Sequence, residues 1–406
     1  MLEQLVEKVE LEIKEQFLKE ERVEFENSKK VLDAFKKFQV SEAHLHGTTG
    51  YGYGDIGRDV IESIYADIFK AEDALVRTQF ISGTHTISST LFGILRPGDT
   101  VLSINGKPYD TLDEVLGIRD NNSSLKSFGV KYEQIDLINN KFDLETISKR
   151  TMKNDIKLII MQRSRGYAYR NAFTISEMKE VISEIRKVNK TAIIMIDNCY
   201  GEFTEEKEPI EIGADVVVGS LIKNIGGAIA ETGGYIVGRK DVIDLVSDRY
   251  SAPGLGKEGG ASFEHNKKIL QGLFMAPHIV CEAKKIGIFA SKLFEELGFE
   301  TEPKFNARRS DIVQMIKFNS TEKLIKFCQG IQANSPIDSH VVPMPWDMPG
   351  YDSQVIMAAG SFTSGSSIEL SCDGPIREPF VAYLQGGVTY SYGKYAVIEA
   401  IKGIME

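Results

Sequence analysis

The sequence predicts an α/β fold: a mainly parallel sheet sandwiched by helices, with a smaller C-terminal α+β domain. Three observations carry this expectation. Short apolar runs suited to strands buried on both faces alternate with stretches of helical spacing. The 406 residues exceed the length of one typical domain. Asp197 and Lys223 stand just after such runs, at the strand ends where open α/β sheets gather their ligands.

In chain order, Leu2, Leu5, Val6, Val9, Ile13 and Phe17, and then Val31, Leu32, Phe35 and Phe38, have amphipathic helical spacing. A charged stretch between the two groups divides them into separate helices, so residues 1–45 read as an N-terminal helical arm. Residues 46–275 read as the large domain. Here a helix at 61–68 precedes a strand or extended segment at 74–81, which enters a turn at Ser82-Gly83. A helix over 84–95 is closed by Arg96-Pro97-Gly98-Asp99. Residues 100–104, 157–161, 192–196, 216–219 and 234–237 are short buried strands, with a helix over 176–188. Residues 276–406 comprise a linking helix and the small domain. The linking helix starts near 262 and ends near 297; a strand at 312–318, further strands near 355–371 and a closing helix after Tyr392 follow.

Composition narrows the function classes. Hydrophobic residues make up 42% and charged residues 26% of the chain, which excludes fibrous and disordered proteins. A net charge of −10 repels phosphate backbones, so no nucleic-acid partner is expected. The longest apolar runs fall far below the ~20 residues of a membrane-spanning helix, so no membrane partner is expected either. Residues 1–20 mix Glu and Lys with apolar residues, unlike a signal peptide, and the reading is cytoplasmic. Cys199, Cys281, Cys328 and Cys372 lack paired zinc spacing and read as buried, reduced thiols. His44 and His46 have no third ligand, and no metal site is expected.

Three strand ends carry the chemistry. Ser82-Gly83-Thr84-His85 opens a helix whose free N–H groups and dipole suit a phosphate, although an ordinary N-cap is the simpler account of that piece alone. His85 is either a cofactor contact or a plain helix-start residue. Asp197 closes a buried run, where a lone carboxylate is costly. Lys223 lies just beyond another, where desolvation lowers its pKa and frees a nucleophilic amine. The two either form a structural ion pair or hold a cofactor between them. Such a cofactor would place a ring nitrogen at Asp197, an aldehyde carbon at Lys223 and a phosphate at Gly83. Pyridoxal 5′-phosphate has those three handles. The Gly50-Tyr51-Gly52-Tyr53-Gly54 segment follows no apolar strand, which excludes a dinucleotide fingerprint.

With Ala71-Glu72-Asp73-Ala74-Leu75, Ser82-Gly83-Thr84 and Leu95-Arg96-Pro97-Gly98-Asp99, the stretch 54–99 resembles the opening of the cofactor domain of the Cys/Met-metabolism pyridoxal-phosphate enzymes. That family includes cystathionine lyases and methionine γ-lyase. Three further strings are Gln162-Arg163-Ser164-Arg165-Gly166-Tyr167, Asp197-Asn198-Cys199-Tyr200-Gly201-Glu202-Phe203 and Gly365-Ser366-Ser367-Ile368-Glu369-Leu370-Ser371. They resemble more closely the bacterial subgroup described as aluminium-resistance or carbon–sulfur lyase-like proteins.

The resemblance implies the PLP-dependent transferase-like fold (fold type I) and pyridoxal 5′-phosphate as cofactor. It makes Lys223 the Schiff-base lysine and Asp197 the partner of the pyridine nitrogen. Ser82, Gly83, Thr84 and Ser220 become the phosphate cradle. Tyr109 matches the aromatic that stacks on the cofactor ring and is the candidate acid for the leaving sulfur; a packed core tyrosine is the alternative. Tyr51 or Tyr53 falls where the family sends a tyrosine to the neighbouring subunit's phosphate, implying a homodimer or homotetramer with shared active sites. Where the wider family has an arginine before Leu-Ser, this chain has Glu369. Arg377 and Arg165 are the remaining candidates for the substrate carboxylate, with an Arg377–Glu378 surface pair as the alternative for the first. The implied activity is carbon–sulfur elimination from a sulfur-containing amino acid, of the cystathionine β-lyase or methionine γ-lyase kind, releasing thiol, 2-oxo acid and ammonia. A sister pyridoxal-phosphate activity, such as aminotransfer or replacement, and a non-catalytic stress or metal-tolerance protein of the same fold are the alternatives.

Overall fold

The computed structural model of the chain describes residues 2–348 and 351–405. Its large sheet holds β1 (Asp73–Arg77), β2 (Thr100–Ser103), β3 (Lys131–Gln134), β4 (Leu158–Gln162), β5 (Ile193–Asp197), β6 (Val216–Ser220) and β7 (Gly234–Gly238). The spatial order is β1-β7-β6-β5-β4-β2-β3, with only β7 antiparallel to its neighbours. The small sheet holds β8 (Glu300–Glu302), β9 (Val313–Lys317), β10 (Val355–Ala358), β11 (Ser371–Pro375) and β12 (Val381–Gln385). It is antiparallel throughout, in the order β10-β11-β12-β9-β8. The helices are α1 (Leu2–Lys37), α2 (Ile56–Phe69), α3 (Gly83–Ile94), α4 (Asp113–Leu116), α5 (Leu144–Thr151), α6 (Ile175–Val188), α7 (Lys240–Tyr250), α8 (His265–Glu296), α9 (Thr321–Ala333) and α10 (Tyr390–Met405). Among the described residues no helix is long and apolar enough to cross a membrane.

Alternation within β4 to β6 explains their unbroken apolar sequence. Leu158, Ile160, Met195 and Val218 enter one core with α3 and α7, while Ile159, Met161, Ile194 and Val217 enter the opposite core with α2, α6 and the first half of α8. Both faces are covered, so the strands have no polar side. Only their ends reach water, and polar function is confined there.

The arm differs from the expectation of separate helices, because α1 is one continuous helix of 36 residues. Its charged middle does not break it, since those residues find partners. Glu20 pairs with Lys284 of α8, and Asn27 Nδ2 donates to the carbonyls of Phe203 (3.2 Å) and Glu205 (3.1 Å). Val6, Val9 and Ile13 of α1 pack into the small-sheet core, whereas Val31 and Ala34 pack into the large-sheet core. Helix α8 also runs from one sheet to the other, so the expected division at 275/276 falls inside it.

Close packing of α8 also fixes the turn that follows β6. A Cβ on Gly272 would lie 2.2 Å from the Gly226 carbonyl oxygen, and one on Gly227, where φ is +55°, would lie 2.2 Å from the Gly272 carbonyl oxygen. Gly272→Ala is therefore expected to cost about 1–3 kcal/mol by overpacking. It should also lower turnover, because the displaced turn carries Lys223. Denaturant unfolding and steady-state kinetics of the variant check both effects.

Candidate active site

Strands β4, β5 and β6 are parallel neighbours, and Gln162 is in register with Asp197. Their carboxyl ends therefore deliver Gln162, Asp197 and Ser220 to one edge, where α3 also begins. A cavity of about 210 Å³ opens there, and its lining includes Ser82, Gly83, Thr84, Tyr109, Asp197, Ser220 and Lys223. The structure thus gathers seven residues singled out in the sequence from four separate segments.

One end of this cavity is built for an anion. Ser82 caps α3, its Oγ accepting from the His85 N–H at 3.1 Å. The first N–H groups of the helix have no acceptor within it. Ser220 Oγ is buried and has no hydrogen-bond partner among the described residues. An orphaned hydroxyl beside a helix start is the donor set a phosphate requires. His85 is engaged elsewhere: its Nδ1 accepts from the Ile81 N–H at 3.2 Å.

At the other end, Asp197 Oδ1 accepts from the Cys199 N–H at 3.1 Å. Burial pushes the Asp197 carboxyl above its ordinary range, against the opposing pull of the Lys223 charge. Lys223 Nζ sits 4.1 Å from the centre of the Tyr200 ring. No hydrogen bond or ion pair joins Lys223 to Asp197 among the described residues, so the site is not closed by a simple pair. Burial alone would lower the lysine pKa, but the acidic side chains around it, Cys199, Tyr200, Asp197 and Glu202, outweigh burial and raise it above its usual range. This corrects the expectation that desolvation frees the amine. Neighbouring acidic groups matter more than burial here. The lysine turn itself is tied down by Asn224, whose Nδ2 donates to the carbonyls of Tyr200 (2.9 Å) and Glu202 (3.1 Å).

Aromatic residues form the outer wall. The hydroxyls of Tyr109 and Tyr351 hydrogen-bond, with the rings edge to face at 6.2 Å. Tyr167 packs against Tyr351 at 5.5 Å and Tyr383 at 5.2 Å. Gly166 makes room for this wall, since a Cβ there would lie 3.2 Å from Tyr109 Cδ2. Burial raises the Tyr109 hydroxyl well above its ordinary range, which keeps it protonated. Asp373 of β11 accepts from Gln385 Nε2 at 2.9 Å, and burial pushes its carboxyl up to about 6. Sequence reasoning assigned no role to Tyr200, Tyr351 or Asp373. Tyr200 stood inside a quoted motif, whereas the other two carried no local signal.

Tyr109, Gln162 and Gly166 also line a second cavity of about 390 Å³, which contains Arg165 and Arg377. Arg165 is buried and committed to Asp311, with Nη2 at 2.9 Å from Oδ1 and Nε at 3.2 Å from Oδ2. Arg377 is exposed and reaches only the Tyr167 carbonyl, at 3.5 Å; it makes no ion pair with Glu378 among the described residues. Glu369, which stands where an arginine was sought, is buried and accepts from the N–H groups of Phe362 (2.7 Å) and Thr363 (3.0 Å). Tyr51 and Tyr53 stack on one another at 5.7 Å, are exposed, and stay outside both cavities of their own chain.

A family model described as methionine gamma-lyase matches residues 2–405. The uncharacterized protein YnbB of Bacillus subtilis (strain 168) is 50% identical over 389 residues, covering 95% of this chain and 92% of the relative. The solved structure of a carbon-sulfur lyase involved in aluminum resistance from Clostridium novyi NT is 49% identical. It superposes with a TM-score of 0.96, covering 99% of this chain and 96% of that one. The pyridoxal-5′-phosphate dependent protein YhfS from Escherichia coli superposes at 0.62 with 16% identity, over 95% of this chain and 97% of its own. That distant likeness concerns the fold alone, and it is the type I architecture expected from the sequence.

Proposed function

Because the chain belongs to the methionine gamma-lyase family, we propose that it is a pyridoxal-phosphate-dependent carbon–sulfur lyase that converts a sulfur-containing amino acid and one water into a thiol, a 2-oxo acid and ammonia. One observation carries the reading: Lys223, Asp197 and the partnerless Ser220 hydroxyl at the start of α3 surround a single cavity.

When bound, pyridoxal phosphate supplies an electron sink for the pair left on the substrate's α-carbon. Ser220 Oγ and the N–H groups at Gly83 and Thr84 are the residues to hold its phosphate. Asp197 would face the ring nitrogen and hold it protonated. An Asp197 carboxylate so engaged would no longer support the Lys223 ammonium, so the lysine would return towards its base form. Lys223 would hold the aldehyde carbon until the substrate amine takes its place, and its freed amine would then accept the α-proton. Tyr109, held protonated by burial, would stand beside the ring and donate to the departing sulfur. Arg377, without an ion pair among the described residues and lining the adjoining cavity, is the side chain to grip the substrate carboxylate. Tyr351, bonded to Tyr109, screens the reacting atoms from water.

The exposure of Tyr51 and Tyr53, away from their own cavity, supports a homodimer or homotetramer in which each copy lends a tyrosine to its neighbour's phosphate. Four free, buried cysteines suit a reducing, cytoplasmic setting.

The test is to incubate the purified, cofactor-loaded protein with cystathionine, cysteine or methionine. Thiol and 2-oxo acid are expected to accumulate in equal amounts from at least one of them. Amino-group transfer with release of neither product would replace elimination by an aminotransferase reading.

A further inference from the structure

The most spacious cavity described, about 670 Å³, lies away from Lys223, where α1, the start of α6, the segment 204–212, α8 and the loop 306–309 meet. Three ion pairs stand in its walls. Glu205 is bound by Arg308 and by Arg163, whose Nη2 lies 3.0 Å from Glu205 Oε1, and Glu20 is bound by Lys284. Three other lining cations, Lys179, Lys207 and Arg309, have no ion-pair partner among the described residues. Of the remaining acids, Glu211 is occupied as acceptor of the Glu208 N–H at 2.9 Å, and Glu206 alone is left at the rim.

Arg309 is the unusual member. It is 2% exposed, and its only hydrogen bond among the described residues runs from Nη2 to Gln314 Oε1 at 2.6 Å. Its Nε is buried without an acceptor among the described residues. A guanidinium this far removed from water, with no carboxylate within ion-pair distance among the described residues, is costly, whereas a bound oxyanion supplies the missing opposite charge. The cavity volume falls within the ~300–1,000 Å³ of small-molecule sites. We propose that this cavity binds a small metabolite bearing a carboxylate or phosphate, its oxygens held by Arg309 and attracted by Lys179 and Lys207 at the mouth. The site takes walls from the N-terminal helix and from both sheet-bearing halves, so its ligand touches all three.

The experiment titrates the cofactor-loaded protein calorimetrically, in chloride buffer, with inorganic phosphate and separately with succinate. Loading the cofactor first fills the phosphate cradle at Ser220, so that cradle does not contribute. Saturable binding of at least one anion is expected, and which one binds identifies the group. Arg309→Met should weaken binding about tenfold or more, the loss expected for a charge-assisted hydrogen-bond pair. Lys179→Ala and Lys207→Ala should each weaken it about threefold, as partly screened charges do. Both lysine variants keep their turnover and visible absorbance, and they decide the matter if Arg309→Met does not fold. Absence of saturable binding by either anion, or equal affinity in wild type and every folded variant, overturns the proposal.

Discussion

Lys223→Ala is expected to abolish turnover, lowering kcat by about 10⁴-fold or more, because one side chain supplies both the covalent attachment and the proton transfer at the α-carbon. The fold should survive. The Lys223 ammonium makes no hydrogen bond among the described residues, and its main neighbour is the Tyr200 ring at 4.1 Å. Its charge sits in a buried site beside Asp197 and Glu202, and removing it leaves those acids easier to protonate than to unfold. Borohydride reduction followed by peptide mapping provides a readout independent of activity. In wild type the cofactor mass should be found on the Lys223 peptide, and in the variant on none. Turnover that persists in Lys223→Ala would remove the lysine from the chemistry, and an unmodified wild-type peptide would remove the cofactor.

The second large effect is expected from Asp197→Asn, which keeps an acceptor for the Cys199 N–H but removes the charge. Loss of an oriented electrostatic group of this kind costs about 10²–10³-fold in kcat. Stability should move the opposite way. The folded-state pKa of Asp197 is raised, so the unfolded chain releases this proton at lower pH than the folded one. Above the ordinary aspartate range the ionised carboxylate therefore weighs against folding, and stability falls as pH climbs through the shifted pKa. The cofactor-free asparagine variant is expected to melt at the same or a higher temperature than wild type at pH 7, while the loaded variant turns over poorly. Scanning calorimetry of the apoprotein beside kinetics of the holoenzyme separates the two. A parallel fall in both would make Asp197 a purely structural residue.

The central strands were legible in the sequence because burial on both faces forces continuous apolar runs such as Leu158–Gln162 and Ile193–Asp197. Edge strand β3 was not, since Lys131, Tyr132, Glu133 and Gln134 lie at the sheet margin and need no apolar side chains. The break expected in the N-terminal arm failed for a tertiary reason: Glu20 and Asn27 look solvent-exposed in sequence but are met by Lys284 and by the carbonyls of Phe203 and Glu205. In the site, Asp197, Ser220 and Lys223 were visible because the first two close a buried strand and the third lies three residues beyond one. Tyr351 was invisible. Its contact with Tyr109 joins positions 242 apart, and no local pattern encodes a meeting of that range. The lowered pKa expected of Lys223 failed similarly, because burial can be guessed from one segment but the surrounding charges come from others.

Helix α1 has a mechanical consequence. At 1.5 Å per residue it is a rod about 54 Å long, seated at one end among the side chains under the small sheet and at the other among those under the large one. Any hinge-like swing of the two halves would have to bend this rod or lift one end from its seat, exposing either Val6, Val9 and Ile13 or Val31 and Ala34. Substrate access is therefore left to local adjustments around the site, while the body of the molecule stays rigid.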